Sequence, residues 1–293
     1  MNYPDEIITI ILLNMSLINI LFFGMTDDRN YGISLDAKLW KKIFLKKYFN
    51  SNFDEDNKCL SWREKCLAHY KYEDLRNWIN LLKKCASLKK RKHKDQELRI
   101  SDVENIKIIE FGANLKYKCE LITKIPSNIK YLINLKTIAI NTCSLREIPS
   151  SINSLLNLEK IDFQNNDIKK ININNELQTK LTHVNLSNNS INEFLISVKN
   201  LKYLDLNNNE ILKMPINMCS LSKIEYLNLN DNLILEISVS ILNLKNLKEL
   251  YLCNNNIKYA DLKIFKLKMI NLKVLDISNN EDLKINDDEL VCN

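Results

Sequence analysis

Glycine is nearly missing from this chain: 293 residues contain three, Gly24, Gly32 and Gly112. A loop that cradles phosphate needs several in a short span, and no G-x-x-x-x-G-K-[ST] or G-x-S-x-G occurs. Histidine is as scarce. His69, His93 and His183 stand apart, with no His-x-x-x-His and no Cys/His set suited to zinc. The expectation is a protein that is not an enzyme, with no catalytic residue, no metal and no cofactor. The eight cysteines never form a Cys-x-x-Cys pair. Scattered through so long a chain they read as reduced thiols, which points to the cytosol or nucleus. Neither sign of charge dominates: 42 basic residues stand against 36 acidic ones, a net of +6. That near-balance is too weak to argue for a nucleic-acid binder, which concentrates basic charge on one face. A long uninterrupted apolar run is missing too. The densest stretch, Ile7 to Phe23, is broken by Thr9, Asn14, Ser16 and Asn19 and preceded by Asp5 and Glu6. A membrane span wants roughly 20 apolar residues, and an export signal wants a basic start. No membrane role is expected.

What the chain has in quantity is Leu, Ile and Asn at a fixed period. Segments beginning at Leu135, Leu158, Leu181, Leu201, Ile224, Leu247 and Leu272 each open L-x-x-L-x-L-x-x-N, with Ile, Val or Phe substituting and Cys143 once replacing the Asn. A looser copy precedes them at Ile106, where Ile109, Phe111 and Asn114 fall in phase. In L-x-L both apolar side chains point to one side of a short strand. A chain that returns within about 23 residues lays the next strand alongside, so each coil buries its leucines only against its neighbours. The recurring Asn166, Asn189, Asn209, Asn232, Asn255 and Asn280 sit where the backbone leaves the strand. There a buried amide can satisfy backbone groups of adjacent coils, and Cys143 fits the same slot without a charge to desolvate.

This pattern resembles the leucine-rich-repeat family over roughly 106–290. Ile125-Pro126-x-x-Ile129, Ile148-Pro149-x-x-Ile152 and Met214-Pro215-x-x-Met218 resemble its subclass with proline at the start of the convex side. The resemblance implies an α/β solenoid of about eight repeats over 106–293, with a concave parallel sheet. The 181–200 repeat is shorter and the 247–271 repeat longer than the rest. Two rows face outward on the sheet: Ala139, Asp162, Asn185, Asp205, Asn228, Tyr251 and Asp276 in one, and Thr137, Lys160, His183, Tyr203, Tyr226, Glu249 and Val274 in the other. His183, Tyr203, Asp205, Tyr226, Asn228, Glu249 and Tyr251 cluster on consecutive coils and form the candidate site for a protein target. Tyrosine combines contact area with a polar tip. The alternative is that these are ordinary solvated strand positions.

Residues 1–105 read as helical. Pro4 suits the first helical position, with Asp5 and Glu6 at the positive helix end. Ser34 is a good N-cap for a helix through Leu35, Leu39, Trp40, Ile43 and Phe44. Ser61-Trp62-Arg63-Glu64 is a capping box, followed by a stripe through Cys66, Leu67, Tyr70, Leu75, Trp78, Ile79 and Leu82. Pro4-Asp5-Glu6-Ile7, Ile11-Leu12, Ser16-Leu17 and Leu39-Trp40-Lys41 resemble the F-box, a small all-α domain covering about 1–50. Tyr3 stands where that family usually has Leu, and no Val-Cys-Arg-x-Trp run follows the second helix. The resemblance implies docking on a Skp-type adaptor of a cullin–RING ubiquitin ligase through Pro4, Ile7, Ile11, Leu12, Leu17, Ile20, Leu21 and Trp40. The alternative is a helical cap on a repeat scaffold with no ubiquitin link. Residues 51–105 would be a helical linker or cap, and its basic run Lys83 to Lys94 reads as a solvated linker or an import signal.

Overall fold

The computed structural model describes residues 74–82, 106–112, 118–174, 177–214 and 220–286. The chain divides into two units, residues 1–80 with 94–103 and residues 81–93 with 104–293. The expected F-box-like helices, with their adaptor-facing residues Pro4 to Trp40, lie outside the described residues. So do the capping box and the basic run beyond Leu82. Helix α1 (74–82) buries Leu75, Trp78, Ile79 and Leu82, the expected i, i+3, i+4, i+7 stripe. Among the described residues no helix is long and apolar enough to cross a membrane.

The second unit is a stack of coils. Each contributes one short strand to an eight-stranded sheet in the order β1 (Ile108–Phe111), β2 (Thr137–Ile140), β3 (Lys160–Asp162), β5 (His183–Asn185), β7 (Tyr203–Asp205), β8 (Tyr226–Asn228), β9 (Glu249–Tyr251) and β11 (Val274–Asp276). Every pairing is parallel, and the strands align at the same repeat phase throughout. The inward pairs Ile138/Ile140, Ile161/Phe163, Val184/Leu186, Leu204/Leu206, Leu227/Leu229 and Leu250/Leu252 are fully buried. Each such side chain is worth about 1.5–3 kcal/mol of burial. The last coil differs, leaving Leu272, Leu275 and Ile277 only half-buried.

At the exits of seven of the sheet's eight strands the backbone takes one left-handed residue: Thr142, Asn165, Asn188, Asn208, Asp231, Asn254 and Asn279, with φ between 52° and 58°. Asn and Asp tolerate that region best among residues with a side chain, which explains part of the Asn richness. The residue after it turns inward and joins a ladder. Asn232 is typical. Its Nδ2 donates to Leu206 O (3.0 Å), Leu229 O (3.2 Å) and Asn230 O (2.9 Å), and its Oδ1 accepts from Ile211 N–H (3.1 Å). Asn166, Asn189, Asn209, Asn255 and Asn280 repeat the same four bonds, one of them reaching back to the preceding coil's strand and one to its loop. Cys143 occupies the slot as expected, fully buried, its thiol 3.2 Å from Asn141 O.

The first coil departs from the expected phase. Ile109 and Phe111 are buried as anticipated, but Cys119 fills the corner. Its N–H donates to Thr142 O at 2.9 Å, just as Cys143 N–H donates to Asn165 O and Asn166 N–H to Asn188 O. Asn114, the residue read as in phase, lies outside the described residues. The extra chain between Phe111 and Cys119 hides the true corner from a count along the sequence. Gly112, at φ +90°, lies so close to Asn141 that an added Cβ would stand 1.6 Å from its carbonyl oxygen.

The side opposite the sheet is less uniform. Pro126 and Pro149 lead 3₁₀ turns (Ser127–Tyr131 and Ser150–Ser154) that bury Ile129 and Ile152, as the proline spacing predicted. Met218 and most of its motif lie outside the described residues. Ser238 does proline's work in a later coil, its hydroxyl accepting from Ser240 N–H ahead of Val239–Asn243. Two proline-free coils instead run straight as β4 (Lys170–Asn174) and β6 (Glu193–Ser197), a parallel pair of alternating buried and exposed residues. That extended path is how the short 181–200 repeat closes. The long repeat uses its extra residues for β10 (Tyr259–Asp261), which pairs with β12 (Lys284–Asn286), and for α2 (Leu262–Lys268), capped by Asp261.

Candidate functional site

The strand register puts the two expected rows on the solvent face of the sheet. Lys160, His183, Tyr203, Tyr226, Glu249 and Val274 are mutual neighbours in one row, and Asp162, Asn185, Asp205, Asn228, Tyr251 and Asp276 in the other. All seven residues singled out from the sequence therefore lie on consecutive strands β5, β7, β8 and β9. Ala139 and Asp162 are more enclosed than their row implies, both being buried.

The aromatic residues form a continuous stack. His183 and Tyr203 lie 5.8 Å apart at 22°, Tyr203 and Tyr226 4.5 Å apart at 7°, and Tyr226 and Tyr251 5.5 Å apart at 46°. Parallel strands about 4.8 Å apart bring Tyr203 and Tyr226 together as direct register partners, whereas Tyr251 sits across from Asn228 and reaches Tyr226 diagonally. Ring–ring contact of this kind adds roughly 0.5–1.5 kcal/mol per pair beyond area burial. His183 is held from behind by Thr182, whose hydroxyl is 2.8 Å from Nδ1.

Two of the rings are tied to carboxylates. Tyr203 donates its hydroxyl to Asp205 Oδ2 at 3.2 Å, and Tyr251 donates to Glu249 Oε2 at 3.0 Å. The other oxygen of Asp205 accepts from Asn207 N–H at 2.9 Å. These contacts shape protonation. Burial pushes the Asp205 carboxyl above the usual range, against the pull of Asn207 N–H and the Tyr203 hydroxyl. Burial likewise raises the Tyr203 and Tyr226 phenols, with Asp205 adding to both. The Tyr251 phenol is raised first by its bond to Glu249. All three phenols are thus neutral hydrogen-bond donors at neutral pH.

The remaining positions of the same row were legible but not singled out. Asp276 follows Tyr251 in register on β11, and Asp162 precedes Asn185 on β3. The L-x-L phase already places both; what it does not show is which outward residues lie together once the coils stack. Along one margin runs a separate charged line in which Lys136 pairs with Glu159 at 2.8 Å, and Lys202 and Lys248 both pair with Glu225.

The Leucine Rich Repeat family pattern matches residues 200–221. No curated protein sequence matches the chain. Among solved structures, the functional domain of InlJ from Listeria monocytogenes is similar, with 15% identity and a TM-score of 0.51 over 66% of this chain and 44% of that one. An LRR protein of Leptospira interrogans has 21% identity and a TM-score of 0.46, over 67% and 64%. A plant peptide hormone receptor, RGFR1 in complex with RGF2, has 21% identity and a TM-score of 0.47, over 56% and 27%. The chain thus spans less than two thirds of each of those proteins. Register, corner geometry and the family pattern together define a solenoid of leucine-rich repeats.

Proposed function

We propose that this chain is a non-catalytic protein-binding subunit that holds a protein target on the solvent face of its sheet. The observation that carries the reading is the stack of His183, Tyr203, Tyr226 and Tyr251. Its rings are locked by one another and by Asp205 and Glu249, so little side-chain freedom remains to be lost on binding. Rigid tyrosines with polar tips are the residue type that dominates binding energy in protein interfaces. The finer reading adds the first fifty residues. Their F-box resemblance makes the chain a substrate receptor, docked on a Skp-type adaptor through Pro4, Ile7, Ile11, Leu12, Leu17, Ile20, Leu21 and Trp40. It would then bring its target near a ubiquitin-transferring centre that other subunits supply, contributing proximity and no bond-making step.

Calorimetric titration of the full chain with a purified Skp adaptor tests the finer reading. Binding at about micromolar Kd, lost in Leu12→Asp and kept in Tyr226→Ala, is the expected result. No binding by the intact chain leaves a repeat scaffold with a helical N-terminal cap and no link to ubiquitin.

A further inference from the structure

The solvent face of the sheet differs in charge from the chain that carries it. The two rows hold Glu110, Asp162, Asp205, Glu249 and Asp276 against the single cation Lys160, within a chain of net charge +6. Lys160 lies 3.9 Å from Asp162. Around the tyrosines no such compensation exists: among the described residues Asp205, Glu249 and Asp276 form no ion pair, and their bonds are to neutral donors. Asp205 accepts from Asn207 N–H and the Tyr203 hydroxyl, Glu249 from the Tyr251 hydroxyl, and Asp276 from the N–H and hydroxyl of Ser278. In the neighbouring margin Lys136 is paired with Glu159, and Lys202 and Lys248 with Glu225, while Lys273 of the last coil continues the same line.

The negative charge is not required by the fold. In the row of Asp205, asparagine performs the same local task twice. Asn185 Oδ1 accepts from Ser187 N–H at 3.1 Å, and Asn228 Oδ1 accepts from Asn230 N–H at 3.0 Å. Those bonds match Asp205 to Asn207 and Asp276 to Ser278 atom for atom. A carboxylate on a half-enclosed strand position is harder to desolvate than an amide that closes the same turn. Its retention at Asp205 and Asp276, beside aromatic rings, calls for a cation.

We propose that the tyrosine-lined sheet face receives an extended, arginine- or lysine-bearing segment of a protein partner, laid across the strands with cationic side chains on Asp205, Glu249 and Asp276. The inference rests on the sheet face being the binding face and names the chemistry of what it binds. Asp205 and Asp276 are three strand intervals apart, about 14 Å at the usual 4.8 Å spacing. An extended peptide places side chains on one face every 6.6–6.8 Å or so, so residues i and i+4 span the same distance. Between them the segment crosses the tyrosines; the stack takes up the faces of Tyr203 and Tyr226, so a guanidinium or ammonium there meets hydroxyl oxygens and not ring faces.

The test uses the full chain and fluorescein-labelled 15-residue peptides of Gly, Ser and Gln carrying Arg, Gln or Glu at the sixth and tenth positions, read by fluorescence anisotropy. The Arg peptide is expected to bind, and to weaken severalfold between low and physiological salt. The double variant Asp205→Asn/Asp276→Asn should weaken it about tenfold, with an unchanged circular dichroism spectrum. The Gln and Glu peptides should not bind. Binding of the Glu peptide as tight as the Arg peptide overturns the inference, as does an unaltered affinity in the double variant or no binding of the Arg peptide at millimolar concentration. Tyr226→Ala/Tyr251→Ala separates the two levels. Peptide binding lost in the tyrosine variant but not in the Asn variant overturns the charge inference and keeps the face; binding unaffected by either overturns both.

Discussion

Asn232 can be replaced by alanine, aspartate and cysteine in turn, and the three outcomes should differ in a fixed order. Alanine removes one acceptor and one amide at a residue only 5% exposed, leaving Ile211 N–H without a partner, while the carbonyls of Leu206, Leu229 and Asn230 each lose one donor and keep another, from Asn209 Nδ2, Asn255 Nδ2 and Asn208 N–H. An orphaned buried polar group costs about 1–3 kcal/mol. With one N–H left bare, the loss is about 2 kcal/mol, a sizeable share of the roughly 5–15 kcal/mol that holds a domain together. In thermal unfolding this lowers Tm by about 5 °C. Aspartate keeps the acceptor but turns an oxygen toward three carbonyls, so it is tolerated only when protonated. Its folded pKa then lies above the unfolded value of about 3.9. The stability it retains is fully present below that value and is lost as pH rises through the folded pKa, so the variant is least impaired near pH 3 and worst at neutrality. Cysteine should lie between wild type and alanine, because Cys143 already fills the slot with one sulfur contact to the carbonyl two residues back. Urea and thermal midpoints of the full chain, followed by circular dichroism at pH 3.5 and 7, check the series. An aspartate variant whose deficit does not shrink on acidification, or a cysteine variant less stable than the alanine one, would refute the ladder as described.

Gly112→Ala should lower stability by at least about 3 kcal/mol, since its Cβ would overlap Asn141 O in a left-handed backbone, and a urea midpoint measures it. Gln178 is a polar residue in a column otherwise filled by Leu132, Leu155, Val198, Leu221 and Leu244, with Oε1 buried and unbonded. Gln178→Leu should therefore raise stability by about 1 kcal/mol, seen as a higher Tm. Because burial raises the Asp205 carboxyl, its ionisation opposes folding as pH climbs through the folded pKa. Asp205→Asn should accordingly melt higher than wild type at pH 7, with the difference vanishing at acid pH where both side chains are neutral.

The repeat body was legible because its physics is periodic. One apolar pair per coil, one left-handed corner and one inward amide recur, and stacking follows from them without distant contacts. Reading failed where the period breaks. Cys119 could not be recognised as a corner because extra residues precede it, and only its N–H bond to Thr142 O identifies it. Nothing local in the sequence marks Gln178 as a member of an apolar column. The tyrosine cluster was visible as a row, since coil phase alone fixes which residues are neighbours. Its stacking angles and its bonds to Asp205 and Glu249 depend on rotamers that spacing does not encode. The charge character of that face needed the same step, because it emerges only when all outward positions are viewed together and the paired lysines are set aside.

The asparagine ladder has a direction. Each rung reaches toward the chain's beginning, its amide holding a carbonyl and its oxygen an N–H of the coil before. Peeling away the coil that carries Asn280 would leave Ile257 N–H wanting, while Leu252 O would keep the amide of Asn255. Loss of a coil should therefore register first as faster amide exchange at the N–H its rung held, Ile257 for Asn280 and Ile234 for Asn255.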